Sequence, residues 1–179
     1  VIIGKGEELP SLLYEVRGSK LDRQPGEICF PGGLIEDDEY PEECALRETW
    51  EEIGIPKEEI EIIAKFDSVL STSGSQLHSY IGLIRETSLE KLKPNECEVE
   101  EVFTVPVSTL ISTEPEVYTN KLVQSPDENF PYERVTGGKM YPWRGGHSPV
   151  PVYEIQDRII WGLTARLTKQ FIEVLREGR

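Results

Sequence analysis

Arg47-Glu48-Thr49-Trp50-Glu51-Glu52-Ile53-Gly54, with Pro31-Gly32-Gly33 upstream, is the stretch on which the reading of this chain turns. Pro41 is a good first helical residue, and Gly54 followed by Pro56 closes the run. On a helix, Glu48, Glu51 and Glu52 stand at i, i+3 and i+4, so their carboxylates project from one side. Crowded carboxylates repel unless a cation sits among them, and oxygen-only ligands select Mg²⁺ or Mn²⁺ over zinc. Arg47 precedes Glu51 by four residues, the spacing of an ion pair that fixes a rotamer. Ala45, Leu46, Thr49, Trp50 and Ile53 recur at helical spacing and are expected to anchor the helix to a sheet. Pro31-Gly32-Gly33 has no side-chain bulk, so a backbone carbonyl or N–H there can approach a metal or phosphate closely. Loop and helix are expected to converge on one point.

Working outward, Val1 to Arg17 reads as two strands joined by a polar turn at Gly4-Lys5-Gly6-Glu7-Glu8, and Glu27-Ile28-Cys29-Phe30 as a short buried strand stopped by the glycine loop. Ile60 to Phe66, Leu77 to Arg85 and Val99 to Pro106 carry β-branched and aromatic residues between turn signals, the pattern of strands. A short helix is expected over Pro106 to Leu110. The segment 113–151 is rich in proline and glycine and reads as a long excursion holding at most a hairpin, of the kind that covers or shapes a site. The chain ends in an amphipathic helix whose stripe is Leu163, Leu167, Phe171, Val174 and Leu175.

The 179 residues suit one domain spanning 1–179, with the excursion inside it. Asp and Glu number 33 against 19 Lys and Arg, a net charge of −14. Nucleic acid and anionic membrane repel such a protein, so neither is expected as a partner. An anionic small-molecule substrate would need local cations. Arg17, Lys20 and Arg23 form the basic cluster nearest the glycine loop. Cys29, Cys44 and Cys97 are odd in number and in no CxxC arrangement, which fits a reducing compartment. No apolar run is long enough for a membrane span. The chain opens on Val1-Ile2-Ile3 as if already within a strand, which leaves room for a leader upstream, and its end at Glu177-Gly178-Arg179 is not a peroxisomal address; cytoplasm is the expected location. His78 and His147 lack a Ser or Cys partner at recognisable spacing and read as structural or surface residues.

Gly33, five residues, Glu39, seven residues, and Arg47 through Ile55 together resemble the Nudix box, the signature of hydrolases acting on nucleoside diphosphates linked to another group. Chance agreement at Gly33, Glu39, Arg47, Glu48, Glu51, Glu52 and Gly54 is on the order of 10⁻⁸ per starting point. Thr49 stands where the box is usually aliphatic. The resemblance implies an α/β fold, a three-layer α/β/α sandwich around a mixed β-sheet. It implies metal ligation by Glu48 and Glu52, helped by Glu51 and by the carbonyl near Gly33, with Glu51, Glu52 and Arg47 in the catalytic set. A carboxylate outside the helix often completes such a cluster or acts as base. The run Glu96, Glu98, Glu100, Glu101 is the place to look, with Glu98 the first choice.

Flanking segments are similar to the coenzyme A diphosphatase branch. Arg17, Gly26 and Phe30-Pro31-Gly32-Gly33 fall in its upstream register; Asn95 to Pro106 resembles its segment leading into Val-Pro, and Trp161-Gly162-Leu163-Thr164-Ala165 its opening of the last helix. Gly18 replaces an expected Ser or Ala, and Asp22 a basic residue, with Arg23 one place on. The likeness implies hydrolysis of the coenzyme A pyrophosphate, with Arg17, Lys20, Arg23, Gly32 and Gly33 binding substrate; a homodimer is allowed for. ADP-ribose, NADH or a nucleoside triphosphate is the alternative substrate, and a non-catalytic nucleotide sensor the alternative of another class. Thr72-Ser73-Gly74-Ser75 is a further candidate for lining the site. Tyr141 and Trp143 offer rings for adenine or, as is more usual in such loops, pack the loop itself.

Overall fold

The computed structural model describes residues 2–3, 10–70, 76–84 and 92–178. The turn at Gly4-Lys5-Gly6-Glu7-Glu8 and the segment Thr72-Ser73-Gly74-Ser75 lie outside them.

Among the described residues, strands β1 (Ile2–Ile3), β2 (Ser11–Arg17), β3 (Ile28–Cys29), β4 (Ile60–Leu70), β5 (Gln76–Ile84) and β6 (Val99–Pro106) form one sheet. Its pairings are antiparallel except β1 with β5, so the sheet is mixed, as expected. β2 is its middle, paired with β1, β3 and β6. Alternation along β2 sorts its side chains onto two faces. Leu12 and Tyr14 join Phe103, Val105, Val107 and Leu110 in one core cluster, while Leu13 joins Ile53, Ile55, Ile60 and Ile84 in the other. Full burial of each such aliphatic side chain contributes about 1.5–3 kcal/mol.

Helix α1 (Pro41–Ile53) covers the Leu13 face. Pro41 supplies a preset φ at its first turn, and the Glu43 carboxylate accepts from the Tyr40 N–H at 3.0 Å. Gly54 ends it in the left-handed conformation (φ 74°), its N–H on the Trp50 carbonyl at 2.9 Å. The next free carbonyls are taken by the segment before β6: Lys93 N–H donates to Ile53 at 3.1 Å and Asn95 N–H to Glu52 at 2.8 Å. This docks the 93–98 turn on the end of α1.

The opposite face is covered by α3 (Gly162–Glu177) and by a smaller antiparallel sheet of β7 (Glu116–Leu122), β8 (Gly146–Ile155) and β9 (Arg158–Trp161). Helix α2 (Val107–Ser112) lies between β6 and β7. Tyr153, Ile155, Ile160, Ala165 and Ile172 belong to the same core cluster as Leu12 and Tyr14, so the two sheets share one interior.

Two details depart from the sequence-based expectation. Trp50 is 57% exposed, and the buried side of α1 is Cys44, Thr49, Glu52 and Ile53. The side chain of Glu52, rather than an indole, fills the space under the helix. On α3 the buried residues are Ala165, Leu167, Thr168 and Ile172, whereas Leu163, Val174 and Leu175 are exposed; Thr168 turns inward, its hydroxyl hydrogen-bonded to that of Tyr14 at 2.9 Å. Segment 113–151 holds the one hairpin allowed for it. β8 starts inside it at Gly146 and pairs with β7 from Leu122↔Gly146 to Glu116↔Val152, tolerating Pro149 and Pro151.

Candidate active site

Two side chains of α1 meet the glycine loop directly. The Glu52 carboxylate, 5% exposed, accepts the Gly32 N–H at 2.8 Å. A Cβ on Gly33 would lie 2.4 Å from the Glu48 carboxylate carbon, so only glycine lets that carboxylate press against the loop backbone. The expected convergence of loop and helix is therefore present.

Arg47 organises the outer rim. Its guanidinium donates to Glu39 through Nε at 2.9 Å and Nη2 at 3.0 Å, a forked pair, and through Nη1 to Glu48 Oε1 and Glu51 Oε2, both at 2.9 Å. It also donates to the Leu34 carbonyl at 3.1 Å. The expected Arg47–Glu51 pair is one part of a wider network, and Arg47 engages one oxygen of Glu48 as well. Glu39, recognised from the box spacing but given no role, is its main partner, and the guanidinium holds the Glu39 carboxyl down at about 2. Glu51 is the most exposed of the three helix carboxylates.

Glu15 was missed. It lies on β2, 1% exposed, opposite Cys29 of β3, whose thiol donates to Oε1 at 3.2 Å. Oε2 has no partner among the described residues. Burial raises the Glu15 carboxyl to about 7, opposed by the Cys29 thiol and the Arg17 charge and reinforced by Glu98 and Glu48. Burial likewise raises Glu52 to about 8, with the Glu15 charge the next cause and the Gly32 N–H acting the other way. The Cys29 thiol is pushed up by burial and by Glu15. The signal was available: an acid in a strand that otherwise alternates through Leu13, Tyr14 and Val16.

Glu98 is exposed on the turn docked to α1, and its charge acts on both Glu15 and Glu52. Its backbone carbonyl accepts from the Gly18 N–H at 2.7 Å. Of its neighbours, Glu101 is committed elsewhere, to an ion pair with Arg158. Arg17 follows a register shift at Val16/Arg17 and turns its guanidinium to the Arg23 carbonyl, at 3.3 and 3.4 Å. Lys20 and Arg23 are exposed and form no ion pair with the described residues. Thr164 Oγ1 donates to the Ile28 carbonyl at 3.0 Å, so α3 braces the strand leading into the glycine loop. Tyr141 and Trp143 pack edge to face at 4.9 Å, and Phe130 against Trp143 at 5.3 Å; the rings pack the loop itself. His78 faces Ser68 at 3.4 Å and His147 is exposed on β8.

Among the described residues no three His, Cys, Asp or Glu side chains stand gathered as a ready metal cage. The donors nevertheless suit a hard divalent cation: carboxylate and carbonyl oxygens, a loop that brings backbone against Glu48, and a buried carboxylate oxygen without a partner among the described residues. No helix among them is long and apolar enough to cross a membrane.

The chain is 29% identical over 174 residues to "Mitochondrial coenzyme A diphosphatase NUDT8" of Mus musculus, covering 95% of this chain and 73% of that protein. It is 31% identical over 130 residues to "Peroxisomal coenzyme A diphosphatase NUDT7" of Mus musculus, covering 72% of this chain and 53% of the relative. Among solved structures, a C. elegans Ap4A hydrolase binary complex aligns over 62% of this chain and 80% of its own, with 16% identity and a TM-score of 0.49. The NUDIX domain model matches residues 3–124, well over half of the sequence, so the chain belongs to the NUDIX domain family.

Proposed function

We propose that this Nudix hydrolase cleaves the pyrophosphate of coenzyme A or its thioesters, yielding 3′,5′-ADP and 4′-phosphopantetheine or its acyl form, with residues 1–179 acting as one domain. The observation that carries the reading is the meeting of the Glu48 and Glu52 carboxylates at the Pro31-Gly32-Gly33 bend. The similarity to coenzyme A diphosphatases over most of the chain supports the substrate branch.

In this reading Glu48 and Glu52, assisted by Glu51 and the Gly33 carbonyl, hold Mg²⁺ or Mn²⁺. The bound cation neutralises pyrophosphate oxygens and lowers the pKa of the attacking water. Arg47 holds Glu48 and Glu51 in place without leaving its own charge free for substrate, because Glu39 occupies its fork. Glu98 is the proposed base, placed by the turn docked on the helix end. Arg17, Lys20 and Arg23 supply the positive charge that a substrate with three phosphates needs on so acidic a protein, and the N–H groups of the glycine loop add donors.

Incubation with coenzyme A and Mg²⁺ or Mn²⁺, with products separated, tests this. 3′,5′-ADP and 4′-phosphopantetheine are expected. Turnover of ADP-ribose, NADH or a nucleoside triphosphate with none of coenzyme A would move the protein to another Nudix branch, and tight nucleotide binding with no turnover would make it a sensor.

A further inference from the structure

We propose that Glu15 is a further carboxylate ligand of the divalent cation, reaching the site from the central sheet rather than from the helix. The inference rests on the metal-dependent reading above and adds a residue that the box does not contain.

Three observations carry it. The first is the free oxygen: Glu15 is 1% exposed, its Oε1 is held by the Cys29 thiol, and its Oε2 meets no donor among the described residues. A buried ionised carboxylate left unpaired costs on the order of several kcal/mol. The second is position. Glu15 is the cross-strand partner of Cys29, and the chain runs from Cys29 through Phe30 straight into Pro31-Gly32-Gly33, whose Gly32 N–H already faces Glu52. Glu15 shares a sheet face with Leu13, the face that α1 covers. The third is charge. Glu48, Glu52 and Glu98 all act on this region with the same sign, and Arg17, the opposing cation beside Glu15, points its guanidinium at the Arg23 carbonyl. A doubly charged ion shared between Glu15 and Glu52 satisfies the free oxygen and removes the repulsion together. A proton shared between the two carboxyls is the competing resolution.

Mn²⁺ titration followed by electron paramagnetic resonance, without substrate, separates the two. Glu15→Gln keeps the shape and removes the charge, and its Mn²⁺ affinity is expected to fall by about tenfold or more. Its melting temperature without metal should be unchanged or raised, since a buried charge is gone, while the rise produced by Mn²⁺ shrinks. Glu15→Asp, which keeps the charge but withdraws it by one methylene, should also weaken binding, and stands in if the Gln variant does not fold. Mn²⁺ affinity within about twofold of wild type in either folded variant, alongside clear loss in Glu48→Gln and Glu52→Gln, would overturn this inference and leave the metal-dependent reading standing. A wild type that does not bind Mn²⁺ would overturn both.

Discussion

Around α1, Glu15 and Glu52 are buried and Glu39, Glu48 and Glu51 are tied together through Arg47; across β7 and the segment after it, polar groups face water. Every residue of β7 is exposed, Val117 and Tyr118 included, and the loop after it is held by edge-to-face contacts among Phe130, Tyr132, Tyr141 and Trp143. Charge held in a low-dielectric interior interacts strongly and perturbs pKa values, which marks a functional region. Aromatic rings satisfied by each other call for no ligand. Both regions stand out in the sequence, one for its acids and one for its rings, and burial separates them.

Substitutions in the two regions put this contrast to the test. Glu52→Gln is expected to lower the proposed coenzyme A hydrolysis by more than about a hundredfold, since even outer partners of a metal site cost about 10–100-fold and Glu52 is proposed as a direct ligand; steady-state kinetics with Mg²⁺ checks it, and near-normal turnover would remove the proposed site from α1. Arg47→Lys keeps the charge but loses the fork that serves Glu39, Glu48 and Glu51 together, so kcat/KM should fall by about tenfold, partly recovered at high Mn²⁺. Thr164→Ala removes the hydrogen bond to Ile28, for a loss of about 1 kcal/mol, read as a fall in Tm of about 2–4 °C. Trp143→Ala should leave KM for coenzyme A within about twofold, while its separation from Phe130 and Tyr141 costs about 0.5–1.5 kcal/mol of stability per aromatic pair. A tenfold rise in KM there would erase the contrast and make the excursion part of the substrate site. Trp50→Ala, on the open side of α1, should change stability by no more than about 0.5 kcal/mol in a thermal melt.

Much of the arrangement is legible in the sequence because it is local. The bounds of α1 follow from Pro41 and Gly54, and the meeting of Glu48 with Gly33 from a spacing that only a loop-then-helix satisfies. Period alone misassigns the face of α1: Trp50 and Glu52 sit two positions apart, and hydrophobicity favours burying the indole, yet Glu52 is under the helix because the Gly32 N–H waits there for an acceptor. Glu15 escapes a local reading for a similar reason. Its neighbours Cys29 and Glu52 are remote in the chain, and only strand pairing brings them together.

Residue type at short separation is enough to read off the box, the start and stop of its helix and the glycine loop that approaches it, and composition alone shows that any phosphate site here needs local cations. Which carboxylates are buried, the sharing of Arg47 with Glu39 and Glu48, the docking of the Asn95–Glu98 turn on the end of α1, and the closing of the excursion on its own rings are visible in the folded chain alone. Those outcomes depend on how β2 lies between β3 and β6 and beneath α1, and so on distances between segments that no local pattern encodes.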